Sequence, residues 1–327
     1  MNKLNPKLFD DDVEMIPTRQ GYGEGLVIAG ENNKNVVVLC ADLTESTRSI
    51  LFKEKFPERF IEVGVAEQGM ATIAAGFANY GKVPFISSYA AFSPGRNWEQ
   101  IRTTIALNDV PVKIAGAHAG LTVGPDGATH QMLEDIALMR AMPNMTVIVP
   151  CDSLEAKKAT IEAAKTKHPV YLRFTREKTP VMTTDQTPFE IGKAEVFWES
   201  KSPQVSIVAA GSLLYEALLA AKELEKSEIE VEIVNCATIK PIDERTLISS
   251  AKKTGAVVTV EEHQVNGGLG GAVAEVLSKN FPVPQEFIGM SDSFGESGAP
   301  DELLEKYHMK AKDIIEAVKK VIARKNG

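Results

Sequence analysis

The stretch "FIEVGVAEQGMATIAAGFANYGKVPFISS", Phe60 to Ser88, places a helical pattern directly before a strand pattern, and that pairing decides the fold class. From 66 to 80 most residues are small or apolar, with Met70, Ile73, Ala74 and Phe77 on one stripe at helical spacing. Ala71, Ala75, Gly76 and Ala78 are small enough for another helix to approach closely, so this helix is expected to be buried at an interface. After Gly81 the run "VPFISS" (83 to 88) has the length and composition of a strand.

The same alternation continues outward. Strands are expected at "NVVVLC" (35 to 40), "VKIAGA" (112 to 117), "MTVIVP" (145 to 150) and "VYLRFT" (170 to 175), with helices near 19 to 30, 95 to 107, 131 to 141 and 153 to 166. Continuous β-branched runs between helical segments belong to parallel sheets covered on both faces. The segment "EKTPVMTTDQTPFEIG" (177 to 192) lacks periodicity and reads as a linker between domains. A second unit follows, with strands at "VSIVAA" (205 to 210), "VEIVNC" (231 to 236) and "AVVTVEE" (256 to 262) and a final helix "AKDIIEAVKKVIAR". The expectation is an α/β protein of two three-layer domains with mainly parallel sheets, residues 1 to 190 and 191 to 327.

Bulk properties agree with two domains, since 327 residues exceed one comfortable core. Hydrophobic residues at 44% and charged residues at 24% are those of an ordinary globular chain. A net charge of -8 argues against nucleic acid, and any anionic ligand must be held by local arginines. No long apolar run or signal-like segment appears, so no membrane partner and a cytoplasmic location are expected. Cys40, Cys151 and Cys236 fit neither a disulfide framework nor a zinc spacing and read as core residues, although a catalytic thiol at Cys151 stays open.

Three motifs carry chemistry. "NGGLGGAV" (266 to 273) sits between a strand and a helix but fails the dinucleotide pattern, because Val273 stands where the last glycine is needed; a tight helix start is the better reading. In "GAHAGLTVGPDGATHQMLED" (116 to 135) a strand ends in His118, a glycine-rich loop follows, and Asp126 and His130 precede a helix. Such loops at strand ends are where α/β folds place ligands; the alternative is a plain turn capped by Thr129. A metal site there lacks the helical pair or cysteine partners that would support it. Glu67 opens the small-residue helix, either as a first-turn carboxylate favoured by the helix dipole or as a buried proton partner for a ligand nitrogen.

The blocks "CADLTEST", "VGVAEQGMATIAAGFANYG", "SSYAAFSPGRNWEQIR", "AHAGLTVGPDGATHQMLED", "MRAMPNMTVIVPCD", "LRFTREKTP", "VEEHQVNGGLGG" and "DSFGESG" occur in this order, and the chain resembles the C-terminal half of transketolase over nearly its whole length. The resemblance implies a pyrimidine-binding domain followed by a transketolase C-terminal domain. It implies thiamine diphosphate as cofactor. In that family the glutamate matching Glu67 hydrogen-bonds N1' of the aminopyrimidine, favouring the imino tautomer whose nitrogen takes the proton from C2 of the thiazolium. By the same resemblance Tyr89 and Phe92 line the pyrimidine pocket. His118, Asp126 and His130 reach the thiazolium side and the donor sugar hydroxyls, and Arg19, Ser46 and Arg176 grip the sugar phosphate, a role suited to the planar guanidinium.

Full-length transketolases also carry an N-terminal domain whose G-D-G…N motif holds the diphosphate through Mg2+ or Ca2+, and no such motif occurs in these residues. The resemblance therefore implies the second subunit of a split enzyme, inactive without an N-terminal partner subunit, self-associating in an α2β2 assembly and acting on sugar phosphates. Alternatives are a 1-deoxyxylulose-5-phosphate synthase-like or 2-oxoacid dehydrogenase β-like subunit, disfavoured by His118 and by "DGATHQMLEDIALMR". A non-catalytic paralogue is disfavoured by Glu67, Phe92, His118, Asp126 and His130 occurring together.

Overall fold

The computed structural model describes residues 4–327. Its strands are β1 (Met15–Pro17), β2 (Val36–Cys40), β3 (Phe60–Glu62), β4 (Val83–Tyr89), β5 (Lys113–Ala117), β6 (Thr146–Ile148), β7 (Val170–Arg173), β8 (Lys178–Pro180), β9 (Glu195–Glu199), β10 (Val205–Ala209), β11 (Val231–Asn235), β12 (Thr238–Lys240), β13 (Val257–Gln264) and β14 (Gln285–Met290). The first domain is built on a seven-stranded sheet in the order β12-β6-β7-β5-β4-β2-β3, parallel except for β12 at one edge. The second is built on β14-β13-β10-β11-β9, parallel except for β9.

Alternation along β2 shows why both sheets are covered on two faces. Val36 and Val38 pack with Tyr22, Leu26 and the alanines of the helix Ser153–Ala163, whereas Val37 and Leu39 pack with Met70, Ala71 and Ala74 of the helix Glu67–Asn79. Successive strand side chains point to opposite faces, so a strand buried on both sides must be apolar throughout. The second core gathers Ile207, Ile233, Val258 and Val260 under the helices Leu214–Glu225 and Ala311–Asn326.

Several expectations need correction. The segment 177 to 192, expected to link the domains without structure of its own, contributes a strand and is pinned: β8 pairs antiparallel with β1, and Asp152 accepts the Thr183 N–H at 2.6 Å and its hydroxyl at 3.0 Å. The expected helix 131 to 141 begins only at Asp135, and 95 to 107 contains a short turn, Trp98–Gln100, running into the wider π-helical Ile101–Ala106. Strands β1, β3, β8, β9, β12 and β14 add to those expected. β12 lies beyond the second domain's first strands in sequence yet completes the first sheet, so the two domains interleave there. Among the described residues no helix is long and apolar enough to cross a membrane.

Candidate active site

Neighbouring parallel strands β7, β5, β4 and β2 end side by side, and candidate residues follow each: Arg176 after β7, His118 after β5, Tyr89 at the end of β4, Ser46 after β2. Carboxyl ends of parallel strands are where open α/β sheets bind ligands. Sequence segments far apart thus form one continuous row.

At one end of the row stands Glu67, in the first turn of its helix and only 2% exposed. Arg96 Nη1 donates to its Oε2 at 2.6 Å, Ser88 Oγ approaches Oε1 at 3.5 Å, and Asn97 Nδ2 donates to the Glu67 carbonyl at 3.0 Å. The Arg96 guanidinium also lies over the Phe92 ring, 4.6 Å from its centroid. A planar cation therefore sits on an aromatic face and donates to a buried carboxylate, an arrangement equally suited to a flat amino-heterocycle.

From Phe92 the row continues through Tyr89, stacked at 6.1 Å, to His118, whose ring stacks on Tyr89 at 3.8 Å. His130 meets Phe92 edge-on at 5.4 Å and Tyr89 at 6.3 Å, with its Nδ1 2.9 Å from Thr129 Oγ1. Arg19 Nη1 lies 3.5 Å from His118 Nε2 and donates to the Ser46 carbonyl at 2.7 Å, so Ser46 enters through its backbone. Arg176 donates to the Val123 carbonyl at 2.9 Å and pairs with Glu177 at 3.2 Å.

Burial, reinforced by Arg19, Arg176 and His130, depresses the His118 pKa to about 3, so its imidazole is neutral at ordinary pH. Its φ of 54° is left-handed for a non-glycine residue, and such strain persists where surrounding structure over-determines it. His118 Nδ1 and Arg19 Nε are buried without a hydrogen-bond partner, the state of groups waiting for a ligand. Asp126 is not part of the contact row: it ends the turn Leu121–Asp126 with an exposed side chain.

The other motifs resolve structurally. Glu261 accepts the Leu269 and Gly270 N–H groups at 2.7 and 2.8 Å, so the start of the helix after "NGG" already holds a carboxylate, one that burial pushes up to about 7. That is the tight helix start read from the sequence. Cys40, Cys151 and Cys236 are free and buried. Among the described residues no group of three or more His, Cys, Asp or Glu is placed to hold a metal ion. Sequence reasoning singled out neither Arg96 nor Asn97, although both lie in a quoted block; they follow the "YAAF" aromatics only after the turn residues Ser93, Pro94 and Gly95, where a polar pair gives no local signal.

Comparison with known proteins identifies the family. Residues 14–182 match the transketolase pyrimidine binding domain and residues 192–314 the transketolase C-terminal domain. A Methanocaldococcus jannaschii protein assigned as a transketolase C-terminal section is 47% identical over 309 residues, 92% of this chain and 96% of that one. A 6-deoxy-6-sulfo-D-fructose transketolase subunit of a Clostridium species is 40% identical, covering 97% and 98%. A split-gene transketolase solved as an inactive β4 tetramer superposes with a TM-score of 0.89 at 46% identity, covering 95% of this chain and 99% of that one. Against full-length transketolases the chain spans about half of their length. With both family models matched in order along one chain, this protein belongs to the transketolase family, whose members use thiamine diphosphate.

Proposed function

We propose that this chain is the C-terminal subunit of a split transketolase, moving a two-carbon ketol unit from a ketose phosphate to an aldose phosphate. The observation that carries this is the pairing of Glu67, buried beside Phe92, with a planar donor laid between them. When bound, thiamine diphosphate supplies the thiazolium carbon that takes up and passes on the two-carbon unit. Phe92 and Tyr89 offer aromatic faces to the aminopyrimidine, and the Glu67 carboxylate holds the proton at its N1'.

His118, kept neutral, donates or accepts a hydrogen bond at a sugar hydroxyl without adding charge, and His130 meets the same two aromatic rings edge-on. Arg19 and Arg176 supply the positive charge for the anionic end of the sugar, and the exposed Asp126 is free to accept from a hydroxyl. That anionic end is a phosphate, or a sulfonate as the name of the Clostridium relative indicates. Diphosphate and Mg2+ or Ca2+ are assigned to an N-terminal partner subunit, in an α2β2 assembly located in the cytoplasm. The inactive β4 state of the similar split-gene chain supports dependence on a partner. The outward side of the Glu67–Asn79 helix supports self-association: Val65, Ile73 and Tyr80 are exposed there, beside an apolar groove of about 520 Å³.

The test is the rate of C2 proton exchange on bound cofactor, followed by NMR after deuterium quench, in the chain assembled with its partner. Glu67→Ala and Glu67→Gln should slow it by about 10²- to 10⁴-fold, the usual contribution of a proton-transfer group. Wild-type exchange in both would leave Glu67 as a helix-start residue only.

A further inference from the structure

Glu262 lies on β13 of the second domain and has no part in the site described so far, yet its side chain reaches the loop that runs from His118 to His130. Its Oε1 accepts the Thr122 N–H at 2.6 Å and its Oε2 the Ser212 hydroxyl at 3.1 Å, with the residue only 3% exposed. Thr122 belongs to the turn Leu121–Asp126, which lies between His118 and His130 and ends in Asp126. Two residues before it, Gly120 has φ +93°, and a Cβ there would stand 2.4 Å from Glu262 Oε1. The loop is wrapped onto the carboxylate so closely that only glycine passes.

The carboxylate is itself fixed. The Glu262 carbonyl accepts from Arg173 Nη2 at 2.9 Å, and Arg173 Nε pairs with the buried Asp135 at 2.7 Å. On the loop's far side Gln131 Nε2 donates to the Leu121 and Gly124 carbonyls, both at 3.2 Å, and to the Glu296 carbonyl of the second domain at 2.8 Å. A buried carboxylate is costly unless its oxygens are met by donors, and here one of the two donors is an N–H of the loop itself.

We propose that Glu262 is a positioning residue: through it the C-terminal domain sets the conformation of the loop between His118 and His130, and so controls handling of the donor sugar without touching cofactor or substrate. This rests on the transketolase reading above.

Glu262→Ala and Glu262→Gln are compared in the chain assembled with its partner, with D-fructose 6-phosphate as donor. Losing a hydrogen bond to a charged group weakens the ordered loop by about 10- to 150-fold, so Glu262→Ala should lower kcat/KM for the donor by a factor in that range while leaving the thiamine diphosphate Kd unchanged. Glu262→Gln should recover most of the loss, because its carbonyl still accepts from Thr122 and its amide can donate to Ser212. Amide hydrogen exchange at Thr122, measured on the chain alone, should accelerate in Glu262→Ala and not in Glu262→Gln. If Glu262→Ala does not fold, Gly120→Ala disturbs the same contact from the loop side and should show the same kinetic split. Unchanged Thr122 exchange, unchanged donor kinetics, or a cofactor Kd that rises as far as kcat/KM falls would each overturn the proposal. A wild-type assembly that turns over no donor fails the transketolase reading instead, and takes the role of Glu262 in turnover with it.

Discussion

On the function proposed above, Arg96 occupies the two groups that would receive the cofactor ring, so removing it should tighten cofactor binding. Its guanidinium donates to Glu67 Oε2 at 2.6 Å and covers Phe92 at 4.6 Å, and both contacts must be given up before a heterocycle takes the same place. The Arg96 side chain is 45% exposed against 2% for Glu67, so the pair is solvent-screened on one side and the full value of a buried ion pair does not apply. A screened pair contributes about 0.5 to 1 kcal/mol and an exposed cation–π contact about as much. Together they predict a 5- to 30-fold lower Kd for thiamine diphosphate in Arg96→Ala, at about 1.4 kcal/mol per tenfold. The orphaned Glu67 carboxylate left in the empty variant pushes in the same direction, since a ring that brings a proton to it relieves its isolation. The assay is calorimetric titration of the assembled enzyme with thiamine diphosphate at fixed Mg2+, in low and high salt. The gain should shrink as ionic strength rises. A weaker Kd in Arg96→Ala would refute the reasoning, because it would place Arg96 among the groups that hold the bound ring.

Other outcomes are expected from the same geometry. His118→Ala should cut donor kcat/KM by about 5- to 150-fold with little change in cofactor Kd, and Asp126→Ala, exposed and outside the contact row, by less; steady-state kinetics with varied donor decide this. Gly76→Arg should leave the fold intact, since a Cβ there meets nothing within 4 Å, yet weaken self-association; an unchanged sedimentation coefficient at micromolar concentration would contradict it. His263 is held neutral by burial, with a pKa lowered from 6.5 to about 4, while Nε2 accepts the Ala137 N–H and Nδ1–H donates to the Gln264 carbonyl. A depressed folded pKa gives stability that is present above 6.5 and lost as pH falls toward 4, about 3 kcal/mol for this shift. Urea unfolding of His263→Gln should therefore show a flatter decline than wild type across that window, and parallel curves would refute the assignment.

How much of this was legible in the sequence depended on whether a segment's structure is set by itself or by its neighbours. β2, β10 and β11 are buried at every position, and their β-branched runs announce it. β3, β8 and β12 have three residues each, too short to carry a period, and exist because β2, β1 and β6 present open edges to them. The 177 to 192 segment looked like a linker for the same reason. Its prolines and threonines have no pattern, and what pins it is the Asp152 carboxylate, 31 residues away in sequence. Glu67, His118 and His130 stood out in the sequence, but their roles came from the resemblance: by themselves Glu67 read as readily as a first-turn carboxylate, and the His118–His130 loop kept a plain turn as its alternative. Arg96 follows a loop of Ser93, Pro94 and Gly95, where a charge is unremarkable until Glu67 is seen opposite.

The end of β13 shows what such a reading lacks and where its signal lay. "VEEHQ" puts two carboxylates and an imidazole in succession on a strand buried at almost every position, which no binary pattern permits unless each group finds a donor. Each does, from a different direction. Glu261 takes the first N–H groups of the helix that begins at Leu269, Glu262 takes Thr122 from the first domain, and His263 Nε2 takes Ala137 from the helix after the site loop. Alternation along the strand turns Glu262 to one face and Glu261 and His263 to the other, where these two lie 3.8 Å apart and still serve different segments. The Thr122 and Ala137 partners lie 140 and 126 residues away in sequence, beyond the reach of any local motif. The contradiction itself was local: consecutive buried polar groups in a strand require donors, and two of these three find them across the junction of the two domains.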